Sequence, residues 1–173
     1  MGSLILAGLT SPMMHGPLFL LTLLAALGCG LIAGVLFAFS SFVMKGLARV
    51  PPAQGIASMQ SVNAAALTPA FMTALFGTAA ACLAVIVCSI LGPHRPYTGY
   101  LLTGGMLYLL GAIGITITFH VPRNQALDRV RPGSPDAAGH WNRYVTTWTA
   151  GNHVRAAAAL AAAAILTLAL TAR

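Results

Sequence analysis

The polar and aromatic residues that precede the last apolar run have the types and spacing of a binding site for a flat aromatic molecule. Trp141, Tyr144, Trp148, Asn152 and Arg155 recur every three or four residues, so a helix would align them along one face. Such a face offers rings for stacking, and an amide and a guanidinium for hydrogen bonding. The alternative is a membrane anchor, because Trp and Tyr are common at bilayer interfaces and Arg snorkels at helix ends.

His153 is the residue of this stretch best suited to act as a general base, since an imidazole exchanges protons near neutral pH. It stands between Asn152 and Arg155, and these three polar types lie closer together in sequence than membrane anchoring requires. We therefore predict catalytic roles for all three. His120, in T-F-H-V-P-R-N-Q, is the competing base, with a purely structural histidine as its alternative.

Membrane-spanning helices must position these residues. The 173 residues are 58% hydrophobic and only 6% charged, whereas a soluble domain carries about 25% charged residues. Four spans are predicted, at about 17–44, 64–91, 97–120 and 139–172. Each contains an apolar run of a length suited to cross a bilayer, which needs about 20 residues, and that of the last span begins near Ala156. We predict an all-α fold, a single membrane domain built as a four-helix transmembrane bundle, whose last span has a cytoplasmic extension. Pro69 is predicted to kink a helix that begins near Gln54.

The distribution of Lys and Arg predicts the orientation of the bundle. The segments after the first and third spans contain Lys45, Arg49, Arg123, Arg129, Arg131 and Arg143, and the opposite side contains only Arg95 and Arg173. The positive-inside rule then places both termini outside and the first and third loops in the cytoplasm, in the inner membrane of a bacterium.

This orientation brings polar residues of several spans to one level. The residues at the inner ends of the second and third spans that join Asn152 and His153 in this layer are Asn63, His120 and Asn124. The layer follows from depth alone, since the sequence leaves the rotation of each helix open.

A short internal repeat predicts a duplication. G-L-A-R-V-P-P (46–52) aligns with A-L-D-R-V-R-P (126–132) at a shift of 80 residues. Each copy follows an odd-numbered span, as expected for two duplicated helix pairs, with chance similarity as the alternative.

An ordered set of motifs resembles a known family. F-A-F-S-S-F-V-M-K-G-L, M-Q-S-V-N-A-A-A-L-T-P-A-F, P-R-N-Q-A-L and W-N-R-Y-V-T-T-W-T-A-G-N-H-V-R are similar to motifs of the small four-helix membrane family that includes the anthrone oxygenases. The resemblance runs from Gly34 to Ala164. It implies an oxygenase that uses O₂ to convert an activated methylene between two aryl rings into a quinone carbonyl. By motif position, the resemblance implies that the functional residues are Asn63, Asn124, Trp148, Asn152, His153 and Arg155.

The composition narrows the possible cofactors. Glu is absent, which excludes a Glu-rich di-iron site, and no G-x-G-x-x-G dinucleotide motif occurs. We therefore predict a reaction without a cofactor, in which a base removes a substrate proton and the carbanion reacts with O₂. A copper or iron ion held by His120 and His153 is the alternative.

The roles predicted for the individual residues follow from this chemistry. His153, or its competitor His120, is the base, and Arg155 stabilises the anion. Asn152 donates hydrogen bonds in catalysis. The predicted substrate-binding residues are Asn63, Asn124, Trp148 and Tyr144.

Two other classes of function stay open at this level. One is a non-catalytic binder or transporter of hydrophobic small molecules, although proton-coupled export usually needs an intramembrane carboxylate, which the sequence lacks. The other is an accessory subunit of a membrane complex. The predicted partners are the lipid bilayer, a hydrophobic aromatic small molecule, O₂ and a second copy of the chain; no nucleic-acid motif is present.

Overall fold

Helices account for most of the residues that the structure describes. The computed structural model describes residues 16–172, and none of these residues forms a β-strand. The helices of this part of the chain are α1 (Pro17–Leu47), α2 (Pro52–Ala65), α3 (Pro69–Leu91), α4 (Thr98–Asp128) and α5 (Ala137–Thr171). All but α2 are long and apolar enough to cross a membrane. The predicted all-α transmembrane bundle is confirmed, and the chain is an integral membrane protein. Arg173, used above to predict orientation, lies outside the described residues.

The four spanning helices form a square bundle. Helix α1 packs against α3 and α5, and α4 packs against the same two helices, so α1 and α4 occupy opposite corners. Glycines permit the close approach: a Cβ atom at Gly104 would lie 2.7 Å from Cγ of Leu166, and one at Gly105 would lie 2.7 Å from Cγ1 of Ile86. Small residues at such contacts are typical of helices that pack within a bilayer.

The second span begins at Pro69, so the prediction of a kinked continuous helix is wrong. Helix α2 ends at Ala65, a short turn follows, and Pro69 occupies the first turn of α3. Proline fits this position because its missing N–H would have no partner within the helix there. Thr68 before it has extended backbone angles, φ −64° and ψ 146°, as expected for a residue that precedes proline.

Three helices extend beyond the start of α3. Helices α1 and α4 have 31 residues each and α5 has 35, against 23 in α3. We call this end, which carries Lys45, Arg123 and Arg143, the basic end. Helix α2 packs across the extensions and closes a second apolar core there, which includes Trp141. The Trp141 side chain is only 2% exposed, so it is a buried core residue rather than an interfacial anchor.

The helix boundaries recur with the period of the short sequence repeat. A shift of 80 residues moves α1 from 17–47 to 97–127, close to α4 at Thr98–Asp128, and moves the end of α3 from Leu91 to Thr171. The two halves differ because the α2–α3 segment is broken before Pro69 whereas α5 is continuous. The duplication stays a prediction, and these boundaries are consistent with it.

Candidate functional site

A cavity of about 170 Å³ lies where α2 ends and α3 begins, at the basic end of the bundle. Phe39, Phe71 and Met72 form part of its apolar wall, which suits a flat hydrophobic ligand. The polar side chains that line it are Asn63, Thr116, His120, Asn124, Trp148 and Arg155. They come from α2, α4 and α5. π-Helical turns, which often occur at functional sites, interrupt α1 at Phe39–Val43 and α4 at Thr116–His120.

His120 is held on the cavity wall by backbone contacts. Its side chain is 2% exposed, and its ring packs edge to face against the Trp148 ring, with 5.1 Å between centroids. Nε2 lies 3.2 Å from the Trp148 carbonyl oxygen, and Nδ1 lies 3.4 Å from the Ile115 carbonyl oxygen. A neutral imidazole has one N–H, and the shorter contact assigns it to Nε2. Nδ1 then carries the lone pair, which faces the Ile115 carbonyl oxygen.

Asn124 is oriented by two residues of α5. Its Oδ1 accepts hydrogen bonds from the Tyr144 hydroxyl at 2.9 Å and from the Trp148 Nε1 at 3.0 Å. Because an indole N–H can only donate, the amide atom that faces it must be the carbonyl oxygen. The Nδ2 group of Asn124 therefore remains available to donate to a ligand.

Asn63 contributes a second amide to the cavity. It lies in the last turn of α2, and its buried Nδ2 has no hydrogen-bond partner among residues 16–172. A buried polar group without a partner is unfavourable unless a ligand or water satisfies it. Asn63 and Asn124 thus both offer N–H groups to an acceptor atom in the cavity.

Asn152 connects α5 to α1 and supports Arg155. Its Nδ2 donates to the Leu36 carbonyl oxygen and to Ser40 Oγ, both at 2.7 Å. Its Oδ1 accepts from Arg155 Nη1 at 3.1 Å. The side chain is fully buried, and both of its N–H groups are already used. Asn152 therefore positions the guanidinium and has no N–H left for a ligand.

Arg155 carries a buried positive charge without a carboxylate partner. Its side chain is 6% exposed, and Nε has no hydrogen-bond partner among residues 16–172. The sequence contains two acidic residues, Asp128 and Asp136, and both are exposed near the ends of α4 and α5. Moving an ion from water into the protein interior costs roughly several kcal/mol even after the protein relaxes. An anionic ligand in the cavity would offset that cost.

The sequence match to a known family covers the polar residues of this site. The family model of anthrone oxygenase matches residues 60–165. This chain belongs to the anthrone oxygenase family. The match includes every polar residue of the cavity wall and reaches from the second half of α2 to near the end of α5. Neither a curated protein nor a solved structure matches the chain.

The fold of this anthrone oxygenase family member brings together most of the predicted site residues. Asn63, His120, Asn124, Trp148 and Arg155 line one cavity. Tyr144 and Asn152 lie directly behind this wall, hydrogen-bonded to Asn124 and Arg155.

His153 does not join them. It is exposed and lines an outward groove between α1 and α5. A helix rotates by about 100° per residue, so a residue next to the buried Asn152 points to a different side. The proximity of His153 to the cavity, expected from depth, is not found.

The two histidines of the predicted alternative metal site do not lie together in this family member. His120 lines the cavity and His153 lines the groove. Within the described part of the chain, no three His, Cys, Asp or Glu side chains are grouped as metal ligands. The reaction without a cofactor stays a prediction, which metal analysis tests directly.

Gly151 is a close-packing position beside the cavity wall, and sequence reasoning assigned it no role. A Cβ atom there would lie 2.8 Å from Cδ1 of Phe119 and 3.1 Å from Cε1 of His120. Real Cβ atoms do not approach ring atoms as closely as 2.8 Å, so a larger residue at this position would force the Phe119 ring, next to His120, to shift. The sequence signal for this position is its place within T-A-G-N-H, and the same signal is expected for any glycine that allows two helices to pack closely.

We expect Asn152→Ala to destabilise this family member by about 1–3 kcal/mol, because it removes the bonds to α1 and leaves Arg155 without its partner. Asn142→Ala is the matched control, since Asn142 is exposed on the same helix. Thermal unfolding in detergent, followed by tryptophan fluorescence, measures both variants. Equal midpoints for the two would contradict the positioning role of Asn152.

Proposed function

We propose that this protein is a membrane-embedded oxygenase that uses O₂ to oxidise the activated methylene of a flat, anthrone-like aromatic substrate. One observation carries the proposal: a cavity wall whose polar residues all lie in the family-matched region holds an imidazole together with the N–H groups of two asparagines and a buried arginine. Proton abstraction followed by stabilisation of an oxyanion requires this combination of groups.

Different cavity residues contact different parts of the substrate. Phe39 and Phe71 provide apolar surface, and Trp148 provides an aromatic ring for stacking. The amides of Asn63 and Asn124 donate to the substrate carbonyl oxygen, on which the negative charge develops. Arg155 lies beside this charge as a fixed cation. A dry, apolar wall strengthens each of these electrostatic interactions.

The proposed reaction balances without an external reductant. Nδ1 of His120 turns from the Ile115 carbonyl oxygen towards the cavity and accepts a proton from the methylene, and the electron pair delocalises onto the carbonyl oxygen as a phenolate. O₂ then adds to the carbanion, and return of a proton gives a hydroperoxide. Loss of water from this hydroperoxide breaks the O–O bond and the remaining C–H bond and leaves a carbonyl. The sum is CH₂ plus O₂ to C=O plus H₂O.

The experiment is an isotope-labelling assay on the full chain in nanodiscs. Under ¹⁸O₂, the protein is expected to convert anthrone to anthraquinone with one ¹⁸O in the new carbonyl, faster than protein-free nanodiscs do. The same rate after treatment with a chelator is expected for a reaction without a cofactor. Activity lost on chelation and restored by one metal would instead support a metal at the site.

A second outcome would favour a different function for the same cavity. Anthrone could quench Trp148 fluorescence at a saturable site while the labelled product forms no faster than in protein-free nanodiscs. That result would overturn the oxygenase proposal and support a non-catalytic binder of hydrophobic molecules.

A further inference from the structure

A second polar concavity lies outside the cavity described above. It is a cleft of about 300 Å³ between the end of α4 and the beginning of α5, at the basic end. Arg123 of α4 faces it, together with His140 and Arg143 of α5. Leu127 and Val130 form part of an apolar floor. The cleft thus combines cationic groups with an apolar surface.

Arg123 is held in place by its own helix. Its Nη1 donates to the Phe119 carbonyl oxygen at 2.9 Å, and its guanidinium lies 3.3 Å from the centroid of the Phe119 ring. A guanidinium has five N–H donors, so several remain for an anion. This fixed geometry reduces the conformational entropy lost when an anion binds.

The wall of the cleft contains no carboxylate. Asp128 and Asp136 are the two acidic residues of the sequence, and neither lines the cleft. His140 and Arg143 are exposed and lie about one helical turn apart on α5. The positive charge of the cleft is therefore available to an external anion.

The depth of the cleft matches the headgroup layer of a bilayer. Phe71, close to the start of α3, lines the same cavity as His120 and Trp148, so these residues lie near the boundary of the apolar layer. Arg123 is three residues beyond His120, and Arg143 is five residues from Trp148. At 1.5 Å per residue these positions are about 5 Å and 8 Å beyond that boundary. The headgroup layer is roughly 5–8 Å thick on each side.

We propose that this cleft binds the phosphate of an anionic phospholipid such as phosphatidylglycerol. Arg123 and Arg143 contact the phosphate, and Leu127 and Val130 contact the adjoining glycerol and the first carbons of an acyl chain. Basic pockets between membrane helices bind anionic headgroups in this way. Tyr144 lines the cleft and also donates to Asn124, so the bound lipid adjoins the wall of the substrate cavity.

The test is a titration of short-chain phosphatidylglycerol into the full-length protein in detergent, followed by native mass spectrometry. One saturable site is expected, with weaker binding of phosphatidylcholine, whose choline compensates the phosphate charge. Arg123→Gln and Arg143→Gln are each expected to weaken phosphatidylglycerol binding about fivefold. Arg143 is exposed, so its variant keeps the test informative even if loss of Arg123 disturbs Phe119.

Arg49→Gln is the matched control, because Arg49 is an exposed arginine of the basic end that does not line the cleft. Its variant is expected to bind phosphatidylglycerol like the parent protein. An equal loss of affinity in Arg49→Gln would overturn the cleft as the site and indicate non-specific surface charge. Glycerol 3-phosphate that binds as tightly as the lipid would overturn the lipid assignment in favour of a soluble phosphate ester.

Discussion

Replacement of His120 by glutamine is expected to lower the rate of carbonyl formation by about 10²–10⁴-fold, the usual contribution of a general base. The amide nitrogen of glutamine can still donate to the Trp148 carbonyl oxygen, where His120 Nε2 lies at 3.2 Å. The amide has no basic lone pair, however, so it cannot accept the methylene proton. The measurement is the initial rate of ¹⁸O-labelled product in nanodiscs after subtraction of spontaneous oxidation.

The matched control is His153→Gln. His153 is exposed and lines the outward groove with α1, away from the cavity. The same substitution there is expected to leave the rate unchanged. A large loss in His153→Gln together with an unchanged rate in His120→Gln would reverse the assignment and restore His153 as the base. Circular dichroism on both variants separates a chemical effect from loss of the helical fold.

The sequence predicted the spanning helices well because each apolar run is much longer than any alternative soluble element requires. It failed at Pro69, where composition does not distinguish a kink within one helix from the first residue of a new one. It also could not predict that Trp141 is buried. That burial depends on α2 packing across the basic end with Gly55 against the indole, where a Cβ atom would lie 2.7 Å from Trp141 Cε2.

The depth of the candidate site along the bundle was predictable, but which side chains face the cavity was not. The lengths of the apolar runs set the depth of His120 and Asn152, and these residues do lie close to one another in the bundle. Rotation about each helix axis decides which side chain faces the cavity, and no single-sequence pattern reports it for a helix as uniformly apolar as α5. Asn152 and His153 differ by one residue, yet the first is fully buried and the second is exposed.

The hydrogen-bond partners within the site also could not be predicted from the sequence. Asn152 has the residue type of a substrate-binding donor, but Leu36 and Ser40 on α1 already occupy its N–H groups. Only the packing of α1 against α5 determines this. The same packing leaves Arg155 with a neutral amide as its partner, and this arrangement produces the clearest test of the site.

Replacement of Arg155 by methionine is expected to change activity and stability in opposite directions. The rate of carbonyl formation should fall by about 10²–10³-fold, as for loss of one group that stabilises an oxyanion. The thermal unfolding midpoint should stay the same or rise, because the desolvation cost of an ion without a carboxylate partner is recovered and exceeds the loss of the hydrogen bond to Asn152 Oδ1. A residue that only supports the fold would lower both quantities.

Arg95→Met is the control for this prediction, since Arg95 is partly exposed in the turn between α3 and α4, at the opposite end of the bundle. It is expected to retain the rate of the parent protein. Arg155→Lys keeps the charge but lacks the planar set of guanidinium N–H donors, so we expect it to recover only part of the rate. An Arg155→Met variant that keeps its full rate would show that the substrate anion forms without this cation. A lowered unfolding midpoint in Arg155→Met would show that other groups of the fold already compensate the Arg155 charge, so that an anionic ligand is not needed to do so.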